Sequence, residues 1–234
     1  MVSSGVASLD QLLGDGYPDR STILVVGPPG IGKQALGYWF AHSGLVQGDI
    51  SLYVTRFAVH EVLQDVRGFG IDPRQMGPIW LASDSREARY DANDLASIGF
   101  NILEILKKNA GRRVRITIDT LSSLLILNSP ETVYKFLTQL FSEMKQYNAV
   151  LLATLEDGMH KPEVLVTMQQ LFDGVVELRM YEDRLRLLPL LRIAKMRGMT
   201  PSHGYFHISF SKTGIEVSVY VKELGIRGWL RGPK

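Results

Sequence analysis

Residues 21–40, STILVVGPPGIGKQALGYWF, decide the fold of this chain. The apolar run Ile23–Val26 predicts a strand, the glycines after it a tight turn, and the residues that follow a helix. The turn matches the phosphate-loop pattern G-x-x-x-x-G-K, in which backbone N–H groups and the positive end of a helix surround phosphate oxygens and the lysine adds a charge. The predicted nucleotide-binding residues are Gly27, Pro28, Pro29, Gly30, Ile31, Gly32, Lys33 and Gln34.

Gln34 is the position where the loop departs from this pattern. The pattern places Ser or Thr after the lysine because a hydroxyl at that point binds Mg²⁺. An amide oxygen is a poorer ligand for this ion. Two interpretations stay open: the loop still holds ATP or ADP with less need for Mg²⁺, or the larger Gln34 side chain fills part of the phosphate site. We favour the first.

The composition is that of an ordinary globular protein, with 45% hydrophobic and 21% charged residues among 234. The net charge of +2 does not by itself indicate a nucleic-acid partner. The absence of cysteine excludes disulfides, thiolate metal sites and thiol catalysis. Neither a signal-peptide pattern nor an apolar run of about 18–20 residues is found, so we expect a soluble cytoplasmic protein without a membrane partner.

Strand and helix patterns alternate through the first two thirds of the chain. This alternation predicts an α/β fold with a mostly parallel twisted sheet, helices on both faces, and ligands at the carboxyl ends of the strands. From Gly174 onward, strand-like runs separated by turn residues predict an antiparallel extension of the same sheet. We expect one domain at residues 1–224 and a basic C-terminal tail at 225–234.

The segment VRITIDTLSS, residues 114–123, is the second chemical signal. It is a mostly apolar strand that ends in Asp119. In phosphate-loop proteins an aspartate in this position faces the loop and holds the metal ion with its water shell. We therefore predict Asp119 as the metal-side residue.

Nearly the whole chain resembles a single-domain member of the RecA superfamily, in its KaiC-like branch, which includes archaeal RadA paralogues. The resemblance is most specific near the C-terminus, where K-x-R-G is followed by a histidine, an aromatic strand and a T-G-I turn. The segments that carry it are SSGVASLDQLLGDGYP, GPPGIGKQAL, SLYVTRFAVHEVLQDVRGFGID, VRITIDTLSSLL, FDGVVELR and LRIAKMRGMTPSHGYFHISFSKTGIEV.

The resemblance implies a RecA-like P-loop fold and a homo-oligomer, with a hexameric ring as the expected form. It also implies that Lys195 and Arg197 reach across a ring interface toward the γ-phosphate held by the neighbouring subunit. The alternative is that they are two solvated charges on an edge strand. A chain that no longer hydrolyses nucleotide is free to be a monomer or a dimer.

The resemblance also shows what this chain lacks. KaiC-like ATPases have a segment of the form V-T-x-E-E, in which one glutamate polarises the attacking water, whereas residues 54–58 here are VTRFA. Glu61 lies about one helical turn further on, and we expect it to point elsewhere. No confident catalytic residue remains in the chain, and little or no hydrolysis is expected.

Three functions stay open. The first is a regulatory or assembly subunit that binds nucleotide weakly and acts through a protein partner; the second is a slow ATPase with an unrecognised base. The third, implied by the resemblance to RadA paralogues, is a recombination accessory that binds single-stranded DNA. The segments expected to face DNA, residues 127–130 and 155–166, contain only His160 and Lys161 as potential cations against three acidic residues, so they do not supply a groove for phosphates.

Overall fold

The computed structural model of the chain describes residues 1–76, 80–82, 91, 93–183, 186–200 and 204–219. The strands are β1 Thr22–Gly27, β2 Ile50–Val54, β3 Trp80–Ala82, β4 Val114–Ile118, β5 Ala149–Glu156, β6 Gly174–Asp183, β7 Arg186–Met196, β8 Phe206–Ser211 and β9 Gly214–Val219. The helices are α1 Ala7–Leu12, α2 Lys33–Val46, α3 Val59–Gly68, α4 Leu95–Lys108, α5 Leu121–Leu127, α6 Pro130–Met144 and α7 Pro162–Leu171, with a short 3₁₀ helix at Pro73–Met76.

The described strands form one sheet of nine strands, in the order β3-β2-β4-β5-β1-β6-β7-β8-β9. The strands from β3 to β6 in this order are parallel, and β7, β8 and β9 continue the sheet in antiparallel fashion. This confirms the predicted fold class. Because the parallel strands end at one edge, the loop after β1, Asp119 after β4 and Glu156 at the end of β5 lie near one another.

The sheet is buried on both faces, which explains why its central strand is apolar throughout. Along β1 the side chains alternate between two cores. Leu24 and Val26 pack with residues of α4, α5 and α6, whereas Ile23 and Val25 pack with residues of α1 and α2. The loop therefore follows a strand that is fixed from both sides.

Arg115 is the charged residue within β4. Its side chain is fully buried, and its Nε donates to Asp49 Oδ2 at 2.8 Å. One terminal nitrogen also donates to the backbone carbonyl of Ser3 at 2.7 Å. A buried charge is tolerated only when it is paired and hydrogen-bonded, so these contacts tie the N-terminal segment to the sheet.

Helix α1 covers the last strand of the sheet. The backbone N–H of Val217 in β9 donates to Ser8 Oγ at 2.8 Å. An uncovered edge strand presents free N–H and C=O groups that invite pairing with another chain. The short N-terminal helix therefore protects this edge.

Two helices were not predicted from the sequence. Residues 155–166 were expected to form a loop, but β5 continues to Glu156 and α7 begins at Pro162. Proline at the first helical position and the apolar residues after it explain this helix. Helix α5 directly follows the aspartate strand, in a part of the chain to which the sequence analysis assigned no element.

Some predictions fall on residues outside the described ranges. These are the domain boundary at residue 224, the basic tail at 225–234, and the histidine that follows the K-x-R-G segment, His203. The apolar run PIWLA, residues 78–82, predicts a strand whose first two residues also lie outside these ranges. Among the helices that the structure describes, none has the length and apolar character needed to cross a lipid bilayer.

Candidate functional site

The phosphate loop has the backbone that its glycines predict. Gly30 and Gly32 have φ values of +76° and +98°, a conformation that disfavours residues with a Cβ atom. Gly32 is the N-cap of α2, which begins at Lys33. The positive end of this helix therefore faces the interior of the loop, as in anion-binding sites.

Lys33 is buried inside the loop and has an intramolecular partner. Its Nζ donates to the carbonyl of Pro28 at 2.7 Å and to Glu156 Oε2 at 2.7 Å. The side chain is only 4% exposed, against 29% for Glu156. The carboxylate of Glu156 thus pairs with the charge of Lys33, which a phosphate group would otherwise neutralise.

Glu156 was missed in the sequence, although a signal for it exists. It ends an apolar strand, and the register of β1 with β5 places it opposite Gly27, the first loop residue. Its backbone N–H donates to Ser122 Oγ at 2.8 Å, which fixes the end of the strand. The strand order, which no local pattern reveals, decides that this glutamate lies beside the loop.

Asp119 and Gln34 are in direct contact. The Gln34 amide Nε2 donates to Asp119 Oδ2 at 3.0 Å, and Thr154 Oγ1 donates to Asp119 Oδ1 at 2.7 Å. An ionised carboxylate can only accept hydrogen bonds, so the NH₂ group of Gln34 must face it. Both oxygens of Asp119 are therefore occupied by uncharged donors.

The environment of Asp119 makes its charged form costly. Burial raises the pKa of this carboxyl group to about 6, and the nearby charge of Glu156 also raises it. The hydrogen bonds from Thr154 and Gln34 and the charge of Lys33 act in the opposite direction, but they do not compensate fully. Burial is therefore the dominant influence on this carboxyl group.

The donor set fits Mg²⁺ poorly. This ion demands near-ideal octahedral coordination by oxygen, with one or two carboxylates and substrate phosphates. Gln34 presents its amide nitrogen to Asp119, and its N–H group already donates to the Oδ2 atom of this carboxylate. Within the described residues, no group of three or more His, Cys, Asp or Glu side chains is placed to hold a metal.

The positions of the absent glutamates contain no replacement carboxylate. Phe57 and Ala58 stand where the family segment has its acidic pair. Glu61 accepts a hydrogen bond from the backbone N–H of Ala58 at 2.7 Å, so its carboxylate caps the start of α3. As expected, it is directed to the helix terminus.

Lys195 and Arg197 lie at the opposite edge of the sheet from the loop of their own chain, because Met196 pairs with Gly174 at the amino end of β6. Lys195 Nζ donates to the carbonyls of Phe172 and Gln170 at the end of α7. Arg197 is 77% exposed and pairs with Asp173 at 3.3 Å. A contact with a γ-phosphate would have to be made with a second chain.

A cavity of about 280 Å³ lies at the phosphate loop. One wall consists of loop residues and the start of α2. The remaining lining residues are Glu156 and two phenylalanines from distant parts of the chain. These are Phe69 at the end of α3 and Phe210 in β8. The sequence analysis did not identify either ring.

A phosphate loop between the central strand and α2 of this sheet, with Asp119 at the end of β4, defines a P-loop domain of the RecA class. The family model described as the KaiC ATPase matches residues 2–221. The chain therefore belongs to the KaiC ATPase family.

Several curated proteins are similar over almost the whole chain. A UPF0273 protein of Methanopyrus kandleri is 26% identical over 249 residues, covering 96% of this chain and 95% of the relative. A UPF0273 protein of Thermotoga maritima is 25% identical over 244 residues, covering 96% and 97%. The circadian clock protein KaiC2 of Synechocystis is 26% identical over 235 residues, covering 95% of this chain but 40% of the clock protein.

Proposed function

We propose that this member of the family binds ATP or ADP weakly, hydrolyses it little or not at all, and acts through protein contacts as a regulatory or assembly subunit. The observation that carries the proposal is the hydrogen bond from Gln34 to Asp119. The loop and its lysine are formed, while a neutral amide holds the carboxylate that serves the metal in an active site.

Nucleotide binding at this site is an exchange of anions. A phosphate group that reaches Lys33 must displace the carboxylate of Glu156, which lies 2.7 Å from the ammonium nitrogen. Charge-assisted hydrogen bonds of this kind are among the strong ones in proteins. The exchange lowers the net affinity, which supports weak binding.

Hydrolysis lacks two of its requirements. Phosphoryl transfer depends on a positioned water and on positive charge at the transferred group. Phe57 and Ala58 supply no carboxylate for the water, and Glu61 caps α3. Loss of the positioning group alone lowers the rate by about 10²–10⁴-fold, and the poor fit to Mg²⁺ lowers it further.

A slow ATPase is the second candidate, and Glu156 gives it a specific base. Its carboxylate lies beside the loop and is partly exposed. In this alternative, nucleotide binding releases Glu156 from Lys33, and the freed carboxylate orients the attacking water. The two candidates differ in the rate of phosphate release. A slow ATPase releases phosphate at a rate that Lys33→Ala abolishes, whereas the first candidate releases little or none.

Binding of single-stranded DNA has less support. Helix α7 begins at Pro162, within the second segment expected to face DNA. Burial lowers the pKa of His160, which favours the uncharged form of this side chain. Lys161 is then the only cation of residues 155–166, opposed by three acidic residues. A hexameric ring, as the resemblance implies, and a separate protein partner both remain compatible with the proposal.

Calorimetry with ATP and ADP, in Mg²⁺ or in EDTA, tests the proposed function. Wild-type affinity should differ by less than about threefold between the two conditions, because Asp119 already has its donors. Gln34→Thr restores a hydroxyl for the metal and should bind more tightly in Mg²⁺ than in EDTA. Lys33→Ala is the control that loses binding. Rapid wild-type turnover, or binding that disappears in EDTA, would refute the proposal.

A further inference from the structure

We propose that this protein forms a two-fold symmetric homodimer in which Phe100 of each copy enters an apolar groove between α4 and α6 of the other. The groove shares no lining residue with the cavity at the phosphate loop, so the dimer does not depend on nucleotide binding. The partner is a second copy of this chain, which is one of the protein contacts that the proposed function allows.

The groove lies between two neighbouring helices that cover the same face of the sheet. Its walls consist mainly of apolar side chains, among them Leu95 and Leu103 of α4 and Phe136 and Leu140 of α6. Its volume is about 190 Å³, below the range of about 300–1,000 Å³ typical of sites that enclose a small molecule. A space of this size suits one aromatic side chain.

Small residues of α4 keep the groove open. Ala96 is exposed and lines the groove. Gly99 faces the other helix, since a Cβ atom built on it would be 3.0 Å from the ring carbon Cε2 of Phe136. A larger side chain at position 96 would fill the space between the helices. The groove can therefore receive a side chain from outside, as the holes between helices receive knobs in coiled coils.

Phe100 also lines this groove and is 68% exposed. A single exposed apolar residue is common on protein surfaces and by itself indicates nothing. Here the exposed ring and the space that suits it belong to one surface, because Ala96 and Phe100 lie one helical turn apart on α4. A surface that contains both a projecting ring and its receptor is complementary to itself. Self-complementarity is the requirement for a contact between two copies related by a two-fold axis.

The charges at the two ends of α4 favour an antiparallel contact. Asp94 is the N-cap of this helix, and Lys107 lies exposed in its last turn. Glu104 pairs with Lys108 at 2.9 Å, and Lys107 forms no ion pair with any residue that the structure describes. Two antiparallel copies of α4 bring Lys107 of each copy toward Asp94 of the other, with Phe100 near the axis. Parallel copies would place like charges together.

Sedimentation velocity over a range of protein concentrations tests the dimer. The wild type should associate reversibly as the concentration rises. Phe100→Ala should raise the dimer dissociation constant by at least about 30-fold, because it removes the side chain at the centre of the interface. Val46→Ala is the matched control, since it removes an apolar side chain that is 71% exposed on α2, and it should change nothing. Thermal unfolding shows whether each variant is folded.

Two further variants separate a specific contact from general surface stickiness. Ala96→Leu fills the groove, so it should weaken the dimer although it adds apolar surface. Lys107→Glu should weaken the dimer as well, because it places a second acidic group opposite Asp94 of the other copy. Lys212→Glu, in the turn between β8 and β9, is the control for this charge reversal and should have no effect.

The outcomes are distinct. A monomeric wild type, an assembly that Phe100→Ala does not weaken, or a tighter dimer in Ala96→Leu would overturn the proposal. Loss of the dimer in Trp229→Ala would assign the groove to the C-terminal tail of the second copy and would also overturn it. ATP binding, measured by calorimetry, should be equal in wild type and Phe100→Ala. Failure of the dimer therefore leaves the proposed function intact, and absence of ATP binding leaves the dimer intact.

Discussion

The side-chain amide of Gln34 donates to the carboxylate of Asp119 at 3.0 Å. In a P-loop protein these two positions normally meet through a metal ion. Here they meet directly, and burial raises the pKa of the Asp119 carboxyl group to about 6 despite the nearby charge of Lys33. The pH dependence of the free energy of unfolding should show the cost of ionising this buried carboxyl group.

Asp119→Asn should remove a destabilising effect at neutral pH. The folded-state pKa is about 6, above the ordinary value of 3.8, so the folded protein binds more protons than the unfolded chain between these values. The contribution of this group to stability is therefore greatest below about pH 4 and falls as the pH rises to about 6. The difference is about 2–3 kcal/mol. Urea denaturation from pH 4 to 8 measures it, and Asp119→Asn should flatten the profile.

Asp72 supplies a control for that experiment. Its hydrogen bonds and charge interaction with Arg74 lower the pKa of this exposed carboxyl group to about 2. Asp72→Asn should alter the profile in the opposite direction and weakly, because solvent screens an exposed pair. An unchanged profile in Asp119→Asn would contradict the pKa shift.

Glu156→Gln should strengthen nucleotide binding. The substitution removes the negative charge that competes with phosphate for Lys33. We expect ATP affinity to increase about tenfold. This increase is toward the lower end of the range for a hydrogen bond to a charged group, because Glu156 is partly exposed. Calorimetry at constant ionic strength measures this. Glu163→Gln, at an exposed position of α7, is the matched control.

The same variant separates the two enzymatic interpretations. If Glu156 were the base of a slow ATPase, Glu156→Gln would abolish phosphate release while binding improved. If the protein does not hydrolyse nucleotide, wild type and variant will both release phosphate at the background rate. Weaker ATP binding in Glu156→Gln would show that this carboxylate does not compete with the ligand.

Arg115→Met should destabilise the fold severely. The change leaves Asp49, 9% exposed, without its partner and leaves the carbonyl of Ser3 without a donor. Breaking a buried ion pair from one side costs about 3–5 kcal/mol. Arg112→Met removes an exposed guanidinium that donates to the Gly48 carbonyl, and it should cost less than about 1 kcal/mol. Equal denaturation midpoints for the two variants would contradict this assignment.

Lys195→Met and Arg197→Gln should differ in their effect on stability. Lys195 donates to carbonyls at the end of α7, and loss of a cation at a helix C-terminus costs about 0.3–1 kcal/mol. Arg197 is exposed, so its loss should leave stability unchanged. If Arg197 contacts nucleotide on a neighbouring subunit, Arg197→Gln will weaken ATP binding only at concentrations at which light scattering shows an oligomer.

Local sequence patterns predicted most of this fold. Ile23–Val26 and the loop glycines fixed the strand, turn and helix around which the sheet is built, and apolar periodicity located α3, α4 and α6. Helix α7, which has ten residues like α3, was not predicted because part of it was assigned to a segment facing DNA. Helix α5 has only seven residues, and periodicity is a weak guide for an element of this length.

The candidate site was predictable only in part. Lys33, Gln34 and Asp119 belong to motifs with fixed spacing. Glu156, Phe69 and Phe210 come from three separate elements, and only the strand order and the close approach of Gly70 to Lys212 bring them to the loop. Residues assembled by tertiary contacts have no fixed spacing from a motif, so one sequence does not place them at the loop.

The contact between Ser8 and Val217 has a practical consequence for handling this protein. A shortened chain that begins after Leu12 would uncover the main-chain groups of β9, and its molecules would tend to join strand to strand into fibres. Purification tags are for this reason better kept away from the first helix, since a few residues there protect the β9 edge of the sheet from polymerisation.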